Sequence, residues 1–118
     1  MDLPLREPTF LILTALAAGP LHGYAIIAEV SALSGARLGL RPGTLYGALD
    51  RLTDDGLVEP SAEEIVDGRR RRYYRLTDSG DAALRAETAR LRANVEAATA
   101  RLRVRDARAS GKLAGGFA

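Results

Sequence analysis

Residues 57–77 decide the fold of this chain, and they read LVEPSAEEIVDGRRRRYYRLT. Two runs with strand character are joined by Asp67-Gly68, a dipeptide that tolerates the positive φ angles of a tight hairpin turn. The stretch therefore predicts a β-hairpin with a two-residue turn. Such a turn also sets the register, because it places Val66 opposite Arg69 and each further pair one step closer to the base.

The four consecutive arginines have different neighbours in this register. The pairs beyond the turn are Ile65 with Arg70, Glu64 with Arg71, and Glu63 with Arg72. Opposite charges directly across two strands attract by roughly 0.2–1 kcal/mol. Arg71 and Arg72 therefore have carboxylate partners, and we expect them to support the hairpin. Arg69 and Arg70 face apolar residues, and we expect their guanidinium groups to be available to bind phosphate groups of a partner.

The two tyrosines that follow the arginines lie on opposite faces of the hairpin. Successive side chains of a strand alternate between its faces. Tyr74 shares a face with Leu76, so we expect it to pack inward and support the hairpin, whereas Tyr73 and Arg75 lie on the other side. The hairpin is thus predicted to have an inner and an outer face.

Three helices are predicted before the hairpin, over about residues 8–18, 22–34 and 42–55. The first is apolar on almost all sides and is expected to be buried. The third opens with Pro42, which suits the first position of a helix because its φ is already helical. Gly56 follows the third helix and ends it.

A long helix is predicted after the hairpin, over residues 78–106, with Thr77 or Asp78 as its cap. Its apolar residues form a narrow seam on a charged helix, comprising Leu84, Leu91, Val95, Ala98 and Leu102. A seam of this kind needs a partner, so a homodimer is predicted. Residues 107–118 are rich in Gly and Ala and are expected to be disordered.

This order of elements predicts a mainly α fold with a small β-hairpin, that is, a winged helix-turn-helix followed by a dimerisation helix. The winged domain is expected over residues 1–77, with the hairpin as its wing. Residues 1–67 hold four Arg against ten Asp and Glu, whereas residues 68–118 hold thirteen basic residues against five acidic ones. A basic half favours a polyanion as partner.

Enzyme and cofactor chemistry find little support in the composition. Cysteine is absent and there is one histidine, His22, so neither a thiolate metal site nor a histidine cluster can form. The adjacent pairs Glu63-Glu64 and Asp54-Asp55 point in different directions and make no acid/base pair. We expect no catalytic residue, no metal and no cofactor, and we expect His22 to start a helix.

Residues 10–19 read FLILTALAAG and are the most apolar stretch of the chain. The stretch is too short to span a bilayer, for which about 20 apolar residues are needed. Asp2 and Glu7 precede it, whereas an export signal begins with positive charge. We therefore expect a cytoplasmic protein that has no membrane partner.

Three segments together resemble the PadR-like transcriptional regulators. They are LHGYAI at 21–26, RPGTLYGALDRLTDDGLV at 41–58 and GRRRRYYRLTDSG at 68–80. They come in the family's order and spacing, and the resemblance covers about residues 8–106. It implies a homodimeric DNA-binding regulator, usually a repressor, of the short type with a single C-terminal dimerisation helix.

The chain departs from the family pattern at three places. Gly47 stands where members often carry Pro, and Arg41 stands where a small polar residue often precedes Pro-Gly. The last helix lacks the aromatic residue that members often have near the dimer interface. The resemblance allows a small-molecule effector at that interface, but no residue of this sequence specifies one.

The outer face of the third helix is the predicted DNA-reading surface. With its leucines turned inward, the opposite side and the helix start present Arg41, Gly43, Thr44, Tyr46, Gly47 and Arg51. The hydroxyls of Thr44 and Tyr46 suit phosphate oxygens, and Arg51 suits phosphate or guanine. The glycines either allow close approach to DNA or serve turns and packing, and Tyr46 is alternatively half-buried core. Asp50 lies on the same side, and its role stays open.

Two functions remain in competition at this point. The first is a sequence-specific double-stranded DNA-binding dimer that represses nearby genes and is relieved by a small-molecule effector. The second is a winged-helix module that binds protein rather than DNA, which the acidic N-terminal half and Asp50 favour. The dependence of DNA affinity on salt separates the two, because phosphate contacts release counterions.

Overall fold

The structure is a computed structural model that describes the backbone of residues 5–114 and the side chains of residues 5–111. Its elements are α1 Glu7–Ala17, β1 Leu21–His22, α2 Gly23–Leu33, α3 Pro42–Asp54, β2 Val58–Val66, β3 Arg69–Leu76 and α4 Asp78–Ala114. The predicted fold class is confirmed, since helices dominate and the strands form one small antiparallel sheet. The chain divides into two compact units, of which the first ends at Glu87 and the second begins at Thr88.

The core of the first unit joins the three N-terminal helices to the base of the hairpin. Its most buried side chains include Ile12, Leu13, Leu16, Ile26, Val30, Leu45, Leu49, Leu52, Leu57 and Val58. The inner face of α3 is as predicted, with Leu45 and Leu49 fully buried. Burying a leucine side chain stabilises a fold by about 1.5–3 kcal/mol, so the core holds α3 in place.

The helix boundaries follow local signals in the sequence. Pro42 occupies the first turn of α3 as predicted. Gly56, just beyond that helix, has a φ of 75°, a conformation that glycine adopts without strain. His22 precedes α2, where its Nδ1 accepts a hydrogen bond from the Ala25 N–H at 3.3 Å. The expectation that His22 starts a helix is therefore confirmed.

The sheet has three strands in the order β1-β3-β2, whereas the sequence predicted two. The additional strand β1 pairs Leu21 with Tyr74 and His22 with Tyr73. A two-residue strand shows no periodicity, which is why the sequence analysis missed it. Its effect is to connect the start of α2 directly to the arginine-bearing strand.

The wing, defined as β2, β3 and their turn, has the predicted register. Val66 lies opposite Arg69, and the pairing continues in single steps to Glu63 and Arg72. The turn residues Asp67 and Gly68 have φ angles of 52° and 75°, as the two-residue turn requires. An irregularity that was not predicted interrupts β2 between Pro60 and Glu63.

The start of α4 is tied closely to the base of the wing. The Thr77 hydroxyl donates to the Gly56 carbonyl at 2.6 Å and accepts from the Gly80 N–H at 3.0 Å, so Thr77 caps the helix as expected. Near the end of the first unit, the buried Glu87 carboxylate accepts from the Leu5 N–H at 2.9 Å.

α4 continues to Ala114, beyond its predicted end at residue 106. The prediction of a disordered tail is therefore wrong for residues 107–114, whose alanines and Arg108 favour helix and outweigh Gly111. Residues 115–118, also in the predicted tail, lie outside the described residues. Within the described part of the chain, no helix is long and apolar enough to cross a membrane.

Candidate nucleic-acid interface

The outer face of α3 is a polar, solvent-exposed surface. Its exposed members among the predicted site residues are Arg41, Gly43, Thr44, Tyr46 and Arg51, and Gly47 is half-buried. A Cβ added at Gly43 would meet no atom of the described chain within 4 Å. A Cβ added at Gly47 would come only within 3.7 Å of the Arg51 guanidinium, which is ordinary contact. Side-chain packing among the described residues therefore does not require glycine at these two positions.

Tyr46 is partly exposed and partly packed, so its surroundings are compatible with both roles that the sequence left open. Its side chain is 41% exposed, yet its ring packs on the backbone at the start of α2. A Cβ at Gly23 would fall onto the Tyr46 hydroxyl and 2.8 Å from its Cζ. Gly23 thus makes room for the ring, and this contact positions the Tyr46 hydroxyl at the edge of α3.

A cleft of about 480 Å³ lies between the wing and the starts of α2 and α3. The helical side of the cleft carries His22, Tyr24 and Tyr46, and the wing side carries the arginines 69–72. The fold therefore brings Tyr46 together with both predicted phosphate-binding residues, Arg69 and Arg70. The other predicted residues of α3 do not line this cleft.

Tyr24 is a cleft residue that the sequence analysis missed. It is the most exposed tyrosine of the cleft, at 65%, and belongs to the first turn of α2. A signal was present, because winding α2 at 100° per residue puts Tyr24 opposite the buried Ile26 and Val30. An aromatic residue on the polar side of a helix beside a basic hairpin is a candidate for phosphate or base contact.

The carboxylates of the wing do not contact only the arginine that lies directly opposite on the neighbouring strand. The predicted pair forms between Glu63 and Arg72, at 3.4 Å. Arg70 also reaches the Glu63 carboxylate, at 3.6 Å, although Ile65 is its direct cross-strand partner. The apolar residue opposite Arg70 is as predicted, but the ion pair with Glu63 was not predicted; it forms because a long side chain reaches its diagonal neighbour on the same face.

Glu64 does not form the expected ion pair with Arg71. Its carboxylate instead accepts a hydrogen bond of 2.8 Å from the Tyr73 hydroxyl, which raises the pKa of Tyr73. The ring of Tyr73 stacks edge-on with that of His22, the centroids lying 5.4 Å apart. Tyr73 thereby links the outer face of the wing to the start of α2.

The two arginines predicted to support the wing differ in their surroundings. Arg72 lies near the buried Tyr74, and the phenolic oxygen of Tyr74, followed by Glu63, raises the pKa of Arg72. Arg71 is half-buried and lines the cleft.

Arg69 forms neither an ion pair nor a side-chain hydrogen bond within the described residues.

The cleft thus combines fixed positive charge with tyrosine hydroxyls and rings. This chemistry suits an extended polyanion, since guanidinium groups bind phosphate oxygens in a forked geometry and tyrosines bind phosphate or stack on bases. Among the described residues, no three His, Asp or Glu side chains come together as a metal site would require.

Comparison with known proteins identifies the family to which this chain is similar. The model of the transcriptional regulator PadR-like family matches residues 12–86. The transcriptional regulator Rv3488 of Mycobacterium tuberculosis is 47% identical over 75 residues, which are 62% of this chain and 64% of the relative. The chain spans less than two thirds of the length of the curated relatives that it matches.

Solved structures agree with the family match. A PadR family regulator from Clostridium difficile superposes with a TM-score of 0.68 and 26% identity, over 82% of this chain and 99% of that one. Bacillus subtilis PadR, solved in complex with operator DNA, superposes with a TM-score of 0.61 and 29% identity, over 69% of this chain and 46% of that one. From the family match and these superpositions we conclude that this chain belongs to the PadR-like family of transcriptional regulators.

Proposed function

We propose that the protein is a sequence-specific regulator that binds double-stranded DNA through α3 and the wing. The observation that carries the proposal is the cleft, which aligns four wing arginines with Tyr46 beside the exposed face of α3. A relative of this protein, PadR from Bacillus subtilis, was solved in complex with operator DNA. A helix of this kind enters a major groove, and a flanking hairpin contacts the backbone.

The residues of α3 divide the work by position. Thr44 and Tyr46 donate hydroxyl hydrogen bonds to phosphate, and Arg51 reaches phosphate or guanine. Arg41 lies just before the helix, where further phosphate contact is favourable. The open space around Gly43 supports the interpretation that glycine permits close approach to DNA. Gly47 has the same role beside Arg51.

The wing supplies contacts that do not depend on sequence. Arg69, with no partner of its own in the described chain, and Arg70, 72% exposed, are the primary phosphate-binding residues. Arg71, Arg72 and the buried Tyr74 are the residues that support the wing. A DNA target of this kind lies in the cytoplasm, and we place the regulator there.

We further propose that the protein is a homodimer joined through α4. Leu84 packs against the core of the first unit, so the available part of the seam consists of Leu91, Val95, Ala98 and Leu102. Val95 and Leu102 are 63% and 58% exposed. A second copy would bury them and would place two α3 helices about one DNA turn, roughly 10 bp, apart. In the same proposal, the dimer represses nearby genes, and a small-molecule effector relieves this repression.

The dimer is tested by a charged substitution in the seam. Leu91→Glu or Val95→Glu should give monomers in light scattering, because a carboxylate would be buried without a partner. The matched control is Ala93→Glu, which introduces the same charge on the opposite side of the helix. A seam variant that keeps the dimer mass would contradict the assignment.

The DNA proposal is tested by titration with the DNA flanking the gene and with bulk DNA. We expect tighter binding to the flanking fragment, and an affinity whose logarithm falls with that of the salt concentration by about 0.9 per phosphate contact. Negligible DNA affinity even at low salt would instead favour the protein-binding module, to which the exposed Asp50 on α3 points.

A further inference from the structure

Glu63 occupies a position on the wing that the proposed function does not use. It lies on β2 just after the irregularity, on the same face as Arg70 and Arg72. Its two carboxylate oxygens point to different arginines, Oε1 to Arg72 Nη2 at 3.4 Å and Oε2 to Arg70 Nε at 3.6 Å. One carboxylate therefore bridges two arginines of the cleft.

This bridge changes the charge that the wing presents. Arg70 and Arg72 together with Glu63 carry a net charge of +1 instead of +2. A phosphate that approaches Arg70 or Arg72 meets the Glu63 carboxylate at the same guanidinium group, and the two anions compete for its charge and its N–H donors. Arg69 makes no such contact within the described residues, so the effect is specific to two of the four arginines.

The bridge is weak enough to be displaced. Its side chains are exposed, Arg70 by 72%, Arg72 by 53% and Glu63 by 44%. Ion pairs at such positions contribute little stability and are screened by salt. Glu63 is thus able to reduce phosphate binding in a graded way without preventing it.

We infer that Glu63 competes with DNA phosphate for Arg70 and Arg72, and thereby limits how strongly the wing binds DNA of any sequence. The inference rests on the proposed function. As a consequence, contacts with bases contribute a larger share of the total binding free energy, because sequence-independent binding comes almost entirely from phosphate contacts.

The test is Glu63→Gln, measured by fluorescence anisotropy with a labelled duplex of mixed sequence about 20 bp long, two helical turns. At low salt the affinity should rise about three- to tenfold, and the salt slope should steepen by about 0.9 for each arginine that gains a phosphate. Glu63→Thr should give the same gain, since threonine also suits a strand.

The matched control is Glu59→Gln, which removes the same charge from the same strand. Glu59 pairs with Arg75 at 2.8 Å, at the base of the wing and away from the cleft. This variant measures how much DNA affinity changes when one negative charge is removed from the wing outside the cleft. Its affinity should change by less than about twofold. The excess of Glu63→Gln over this control measures the competition.

A third arm attributes the gain to the two arginines. In a protein carrying Arg70→Ala and Arg72→Ala, Glu63→Gln should add nothing beyond the control. Equal gains from Glu63→Gln and Glu59→Gln would overturn the inference while leaving DNA binding intact. Weaker binding by Glu63→Gln would also overturn it, since Glu63 would then orient the arginines. A wild-type protein without salt-dependent binding would contradict both the inference and the proposed function.

Discussion

α3 and the wing lie on two sides of one cleft, but they are held in place by different forces. α3 rests on Leu45, Leu49 and Leu52, which are almost completely buried. Between Ser61 and Arg72 the wing has no buried residue, and its shape depends on the turn, the strand pairing and Glu63. The helix therefore takes its position from the core, whereas the tip of the wing takes its position from local geometry.

The two regions also differ in charge. The exposed face of α3 combines Arg51 with Asp50 and Asp54, so it offers DNA little net attraction. The wing carries the arginines 69–72. On the proposed function, attraction without regard to sequence comes from the wing, and the reading of bases has to come from α3. Substitutions should separate a region needed for folding from one needed only for binding.

The largest effect is expected from the inner face of α3. Leu49→Ala should lower the free energy of unfolding by about 2–5 kcal/mol, because it leaves a cavity at a fully buried site. Urea unfolding followed by circular dichroism measures the change. Ile65→Ala on the wing, where the side chain is 75% exposed, should cost less than about 0.5 kcal/mol. Similar losses from both variants would remove the distinction between the two regions.

A smaller effect, on binding alone, is expected from the tip of the wing. Arg69→Ala combined with Arg70→Ala should weaken binding to every DNA sequence and flatten the salt slope by about 0.9 per lost contact. The unfolding free energy should change by less than about 0.5 kcal/mol, since both side chains are exposed. Anisotropy titrations at several salt concentrations measure the slope.

The comparison variant for the wing is Arg71→Ala combined with Arg72→Ala. It should weaken binding less, because Arg71 is half-buried and Arg72 interacts with Tyr74 in addition to the Glu63 contact that it shares with Arg70. Equal losses from the two double variants would mean that all four arginines contact DNA to the same extent.

Local signals predicted much of this structure. Asp67-Gly68 allowed the hairpin register to be predicted residue by residue from the turn to Glu63 and Arg72, because a two-residue turn permits only one pairing up to the first irregularity. Pro42 and Gly56 marked the ends of α3 within a residue or two for the same kind of reason. In each case the backbone conformation of one or two residues determines the element.

Features that depend on distant contacts were not predicted. β1 is two residues long and exists because β3 lies beside it. The Glu63 bridge to Arg70 depends on how two long side chains meet across the sheet.

The end of α4 was also missed, because Gly111 and the alanines near it suggested a tail.

The sequence by itself determined the order of the elements, the register of the wing and the family, since these follow from turn chemistry, periodicity and motif spacing. Only the tertiary structure decided which side chains share the cleft. Tyr24, Tyr46 and the arginines come from segments far apart in the chain, and β1 brings the start of α2 against β3. It also decided that Glu63 serves two arginines, because side-chain reach and competition for one carboxylate are properties of the folded surface.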